Sequence, residues 1–397
     1  MSRRARIDVS VSVATVLAAC ASPVGTVCND AAIATCSPSA AQSHIFVSTT
    51  ADYQSGSLCA MASDPVCLRC DVAPTAGDTV LATHGGLIIA MNYRSDGEDS
   101  VTIVDPSTVP GLIRGQIAMR LDGERRLADP RAYVVLDGSV GLVARLFQAS
   151  LAVVEVEGRP QVLRTVDLSQ FAAPAPLPNP VAFARSADAL WVVLQRLPPD
   201  PTQPTIPGLL VRLDPLTGAP IDSDATRPGV QGIELPCTNP IGDPAVVDGA
   251  LWLACVGSYR RDDDGGVVVF DPATSAVSWR LRETDALGNI DAIVSLGSQR
   301  FALRVSVRAG AALGVGSSRL VLWNAATGAL QTIFERPGYT LTEPLFSRAG
   351  RLYVGDRGDE MSRRAPAVHA FDPVTGIEDT AALVPFCEPP YDLIERP

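Results

Sequence analysis

Apolar residues along the chain fall in short runs, about four to eight positions long, separated by clusters of Gly, Pro, Asp, Asn and Ser. Such runs predict β-strands joined by tight turns. One turn pattern recurs. An apolar run ends in Asp or Asn and passes into Pro, Thr and Gly positions: residues 101–105 before Pro106, 210–214 before Pro215, 267–271 before Pro272, 320–324 ending at Asn324, and 368–372 before Pro373. Asp or Asn accepts a hydrogen bond from the amide two residues on, Pro presets its own φ, and Gly takes the left-handed position. Each copy therefore predicts a strand ending in a hairpin. Residues 151–158 hold a degenerate copy.

A second mark lies upstream of each hairpin. An acidic or amide residue, often followed by Pro, introduces two apolar strands with a short turn between them. Asp78, Asp129, Asn179, Asp243, Asp291, Glu343 and Glu388 form this series, with successive spacings of 51, 50, 64, 48, 52 and 45 residues. A period near 50 with four short strands per unit predicts an all-β, seven-bladed β-propeller. With strands named a to d from the channel outward, only strand a, 391–395, follows the seventh mark. Runs 45–49, 57–61 and 66–69 supply strands b, c and d, with a turn at Asp64-Pro65, so the two ends of the chain share one blade. That closure removes the exposed edges of an open array.

The Asp-Pro-x-Thr-Gly hairpins resemble those of the YVTN and quinoprotein-like propeller superfamily, and the copy ending at Gly328 is similar to a WD repeat. The resemblance spans residues 44–397 and implies a propeller, with no activity attached.

The amino terminus carries address information. Arg3, Arg4 and Arg6 precede a short apolar stretch, and Leu17-Ala18-Ala19-Cys20 ends it. This is signal-peptide layout. The run resembles the lipobox of bacterial lipoproteins, which implies lipidation of Cys20 and removal of the preceding peptide. The expected organisation is a signal peptide over 1–19, a lipidated tether over 20–43 and the propeller over 44–397, held as a monomer on the outer membrane of the cell envelope. Eight further cysteines suit disulfides in an oxidising compartment. One pairing is expected: Cys237 precedes strand a of the fourth blade and Cys255 sits late in its strand b, and antiparallel pairing brings those ends together. Asp71 follows Cys67-x-x-Cys70 where haem attachment needs His.

Net charge is −11, and all 32 basic residues are Arg. That balance argues against nucleic acid as a partner. No Gly-x-Ser-x-Gly elbow is present, and His44, His84 and His369 are scattered, so no catalytic constellation is visible. A pyrroloquinoline quinone site calls for a vicinal Cys pair, which the chain lacks.

Loop lengths select a face. The a–b turns are terse, whereas the b–c loops around 94–99, 197–207, 260–266, 308–317 and 356–366 are long, and long loops gathered on one side carry recognition. Two of them, 96–99 and 262–266, are Asp-rich with Gly, a composition that offers oxygen ligands to calcium. The seven strand-a marks ring one mouth of the channel, and Asp129, Asp243 and Glu343 are its candidate metal ligands. The expected function is non-catalytic binding or scaffolding of a protein or envelope glycan through the b–c loop face. The alternative is a metal-assisted hydrolase or lactonase at the channel mouth.

Overall fold

The inner strands read as unbroken apolar runs because both of their faces are covered. In a computed structural model, which describes residues 45–396 apart from 51–54, 64–65, 94–98, 109–110, 187–188, 225, 310–313 and 360–361, seven antiparallel sheets form a seven-bladed β-propeller. Successive residues of a strand point to opposite faces, so alternate side chains serve the two neighbouring blades. In the strand Val140–Arg145, Leu142 packs against the third blade while Val143 packs against the first. In Ile45–Thr49, Phe46 faces the first blade and Val47 the sixth. The outer strands cover one face only and alternate accordingly: Ala276–Arg282 half-buries Val277, Trp279 and Leu281 and leaves Ala276, Ser278, Arg280 and Arg282 exposed. A hydrophobic cluster fills each of the seven interfaces between consecutive blades. The Trp252, Phe301 and Trp323 rings of one such cluster sit 4.6 to 5.8 Å apart, in the range of favourable aromatic contact.

The closing blade is built from both chain ends. Strand a, Pro390–Glu395, pairs antiparallel with Ile45–Thr49, followed by Gly56–Ser63 and Val66–Thr75. The turn at 64–65, His44, Cys20, Cys28 and Cys36 lie outside the described residues. The Asp and Asn hairpins adopt the anticipated hydrogen bonding. Asp214 Oδ1 accepts from the Leu216 and Thr217 amides at 3.1 and 2.7 Å, and Asp372 Oδ1 accepts from Val374 and Thr375 at 2.9 and 2.7 Å. Gly218 and Gly376 take φ of 70° and 73°, as the turn requires.

Three elements depart from the sequence expectation, the first being strand a of the fifth blade, Asn289–Gly297, which contains Asp291 where that residue was expected to precede it. Strand a of the fourth blade is Pro240–Val247, so Asn239-Pro240 is the true counterpart of Asp129-Pro130 and Asn179-Pro180, and Asp243 lies inside the strand. The reason is conformational: Asn239, Asn179 and Asp129 share φ near 50° (51°, 51° and 49°), a left-handed turn that Asn and Asp tolerate. The third blade's outer strand is also split, into Pro220–Ile221 and Ile233–Thr238, which pair with the two ends of Pro207–Leu213. The intervening excursion accounts for the longest spacing in the series.

Cys237, on the second of those pieces, is bonded to Cys255, the last residue of Ala250–Cys255. This bridge joins the third blade to the fourth. A second bridge, Cys59 to Cys70, lies within the closing blade, and Cys387 is also disulfide-bonded. Replacing Cys237 and Cys255 together by Ala is expected to lower unfolding free energy by about 3 kcal/mol, the loss of a short closed loop. Urea denaturation of the variant beside wild type would check this.

Candidate functional site at the channel mouth

The strands a line the central channel, and a repeated irregularity shapes its mouth. Near the start of strand a, pairing with strand b skips a residue: Arg131 between Pro130 and Ala132, Val181 between Pro180 and Ala182, and Asp291 between Ile290 and Ala292. In the closing blade Tyr391 is skipped in the same way, and in the fourth blade 242–244 are. Such β-bulges re-aim a side chain out of the ladder. Here they give the mouth an arginine, an aspartate and a tyrosine at one structural position.

Residues from strands b, from a b–c loop and from a d-to-a connection complete the mouth. Tyr93 ends Leu87–Tyr93, Arg357 follows Leu352–Asp356, Arg304 lies in Arg300–Arg308, Tyr259 comes from the b–c loop after Ala250–Cys255, and Tyr339 from the connection after Ala329–Pro337. Arginines and tyrosines lie side by side there. Arg131 lies 5.8 Å from the Tyr93 ring, and its charge acts on the Tyr391 hydroxyl. Arg304 is 5.2 Å from the Tyr339 ring, and Arg357 stands 5.6 Å from Tyr339 and 4.8 Å from Tyr391. Tyr259 and Tyr339 are nevertheless 41% and 43% exposed. Aromatic rings walled by protein yet open to solvent mark a concave surface available to a ligand.

The acidic ring is divided by its partners. Asp129 pairs with Arg131 (Oδ1 to Nε, 2.7 Å), and Asp291 with Arg304 (2.6 Å) and the Ser306 hydroxyl (2.7 Å). Glu388 accepts from Thr49 at 2.6 Å. Asn179 staples blades, donating to Leu146 O while accepting from the Leu197 amide, both at 3.0 Å. Asp78 stands apart: its Oδ1 is buried and has no hydrogen-bond partner among the described residues. Asp99, from the acidic loop whose other members 96–98 are outside the described residues, accepts from the Ala128 and Asp129 amides.

Of the three candidate metal ligands, Asp129 is held in the Arg131 pair, whereas Asp243 and Glu343 belong to a separate group with Asp392, Asp291 and Arg304. Among the described residues no three His, Cys, Asp or Glu side chains converge closely enough to hold a metal. Burial pushes the Glu343 carboxyl up to about 8, with Arg304 opposing and Asp243 and Asp392 adding repulsion. Burial also raises Asp392 to about 7, against hydrogen bonds from the Leu81 and Leu393 amides. The Glu343 side chain remains 39% exposed, so solvent screening tempers its energetic weight.

The other acidic loop is internally neutralised. Arg261 pairs with Asp263 at 2.8 Å, Asp264 accepts from the Ser258 amide at 2.9 Å, and Asp262 accepts from the Arg308 amide at 3.3 Å. An open cavity of about 400 Å³ lies beside it, lined by Arg261, Asp262, Asp263, Asp285, Val307 and Arg308. His84 and His369 are buried in separate networks, with Tyr133 and Gly138 O for the first and Glu378 for the second.

Sequence reasoning overlooked the arginines and tyrosines. One signal was present, since Arg131 and Tyr391 each follow the Pro that opens a strand a. Tyr259, Tyr339 and Arg357 have no common offset in their repeats and become neighbours only through the ring.

Asp291→Ala would leave Arg304, 5% exposed, as a charge without its closest partner. The expected cost is about 3–5 kcal/mol, read by urea unfolding, with Asp291→Asn intermediate. Because folded Glu343 keeps its proton to about pH 8 and the unfolded side chain releases it near 4.5, stability contributed by this group falls as pH rises between those values. Glu343→Gln should therefore flatten the decline of the urea midpoint between pH 5 and pH 9.

No family model matches the chain, and no curated protein matches it. Solved structures do. A Bacteroides uniformis protein described as a candidate 6-phosphogluconolactonase aligns with 89% of this chain and 99% of its own at a TM-score of 0.60 and 12% identity. The periplasmic gluconolactonase PpgL of Pseudomonas aeruginosa aligns over 89% and 99% at 0.52 and 17% identity. Hydrazine synthase of Kuenenia stuttgartiensis aligns over 74% and 75% at 0.52 and 16% identity. At these identities the likeness is one of fold: this chain is a β-propeller similar in architecture to all three.

Proposed function

We propose that this protein is a non-catalytic recognition propeller of the bacterial cell envelope, tethered to the outer membrane through lipid on Cys20 and engaging a protein or envelope glycan with the loop side of its channel. The observation that carries the reading is the mouth itself. Tyr93, Tyr259, Tyr339 and Tyr391 meet Arg131, Arg304 and Arg357 in one concave surface. Tyr and Arg are the side chains on which binding energy concentrates, because each offers a large flat contact together with polar groups. The nearby acids Asp129, Asp291 and Glu388 are engaged in ion pairs or hydrogen bonds, which suits a surface held rigid for binding.

A second reading is a metal-assisted hydrolase or lactonase. Supporting it, Glu343 and Asp392 titrate near neutrality beside Asp243, as a general acid or base requires. Two of the structurally similar proteins are described as lactonases.

The test is made on cells and on the purified protein. Cys20→Ser is expected to move the protein from the membrane fraction to the soluble one, and persistence on membranes would contradict the anchor. The purified protein should retain an envelope component that a Tyr259→Ala, Tyr339→Ala variant releases. Lactone hydrolysis that requires added calcium or zinc and is lost in Glu343→Gln would replace the binding reading with the enzymatic one.

A further inference from the structure

Three arginines stand at the mouth, and they are not equivalent. Arg131 and Arg304 are each paired with a carboxylate at 2.7 and 2.6 Å. Arg357 has no carboxylate within 4 Å among the described residues, and its Nε has no hydrogen-bond partner. It is held instead by its backbone, whose amide donates to Thr340 O at 2.8 Å, and stands 5.6 and 4.8 Å from the Tyr339 and Tyr391 rings. A half-buried guanidinium beside two aromatic rings presents a planar fork without the anion that such a fork fits.

An unmatched acceptor lies at the same mouth. Asp78 has one oxygen closed to solvent without a donor and a second, Oδ2, that no protein group engages among the described residues, and its charge is felt by Arg357, by Arg131 and by Tyr391. Asp78 stands opposite Tyr93 in the first blade, whose ring Arg131 approaches, and no ion pair joins Asp78 to Arg357 among the described residues. A ligand that bridges them must present an anion to the arginine and a donor to the aspartate. A simple carboxylate or phosphate would meet Arg357 and set a second negative charge against Asp78. A cation would meet Asp78 and oppose Arg357. A sugar acid satisfies both, because one ring carries a carboxylate, several hydroxyl donors and a C–H face that stacks on tyrosine.

We infer that the channel mouth recognises an acidic glycan, with the carboxylate of a uronic-acid residue on Arg357, a ring hydroxyl on Asp78, and the sugar face against Tyr339 or Tyr391. The inference rests on the reading of the mouth as a recognition surface and names its ligand class. No bond is made or broken. The chain's net charge of −11 opposes any acidic polymer at long range. Binding is therefore confined to the local arginines, and added salt, which screens both the attraction and the repulsion, should move affinity little.

The experiment is calorimetric titration of the full chain with trigalacturonate, neutral maltotriose and a tripeptide bearing a free terminal carboxylate. Trigalacturonate should bind and maltotriose should not. Arg357→Gln should weaken trigalacturonate at least tenfold, roughly the worth of a charge-assisted hydrogen bond, and Asp78→Asn should weaken it less. Melting curves establish that each variant is folded. Where Arg357→Gln fails to fold, Tyr339→Ala, at an exposed position, reads the same site. Equal binding of maltotriose, or trigalacturonate binding indifferent to Arg357 and Tyr339, would overturn the assignment. Tripeptide binding that depends on Arg357 without trigalacturonate binding would overturn the glycan class and leave the recognition surface standing. Failure of all three probes, together with no envelope component retained by wild type, would remove both.

Discussion

The pairing of the last strand with the first described one is the constraint on which the rest of the molecule depends. Pro390–Glu395 and Ile45–Thr49 run antiparallel in register, Phe46 opposite Ile394 and Val47 opposite Leu393, and the Thr50 amide extends the ladder to Pro389 O at 2.9 Å. A propeller blade cannot bury its own two faces. Each needs a neighbour on both sides, and a row of seven satisfies that for every blade only when the row becomes a ring. Side chains reinforce the seam toward both neighbours: Ser48 Oγ donates to Thr79 O in the first blade at 2.7 Å, and the Arg348 amide of the sixth donates to Glu395 at 2.7 Å.

Closure also assembles the channel. Asp392 and Tyr391 ride on the closing strand, so they meet Asp243, Glu343 and Arg357 because the ends of the chain have been joined. The Leu81 amide of the first blade donates to Asp392 at 2.7 Å, which ties the position of a channel carboxylate to the seam itself. Stability of the ring and geometry of the site therefore share the same few residues. Mutations that loosen the closing blade would be felt at the mouth before they were felt in the hydrophobic interfaces on the far side.

The mouth illustrates how a folding device sets which side chains face the channel. The left-handed turns at Asp129, Asn179 and Asn239 swing the chain from an outer strand into the next strand a, and the bulge that follows absorbs the change of direction. A bulge leaves one residue outside the ladder, where its side chain is re-aimed toward the channel. Arg131, Val181, Asp291 and Tyr391 occupy such places, so chemistry varies from blade to blade on a backbone that hardly does.

Blade number, the order of strands, the shared closing blade and the hairpin chemistry were all legible in the sequence, because each rests on local periodicity and turn preference. Even the misplaced mark at Asp243 arose from a local likeness, a second Asp-Pro three residues inside the true strand, and only the left-handed φ of Asn239 distinguishes the two. The chemistry at the mouth was not legible in this way. Tyr259, Tyr339 and Arg357 are distant in the chain and carry no motif, Asp78 was visible only as a mark of the repeat, and all four acquire meaning from which charges are already paired and which are left over. Periodicity is a property of neighbours along the chain and survives in one dimension. Charge balance in a shared cavity is a property of neighbours in space, and only the closed ring decides it.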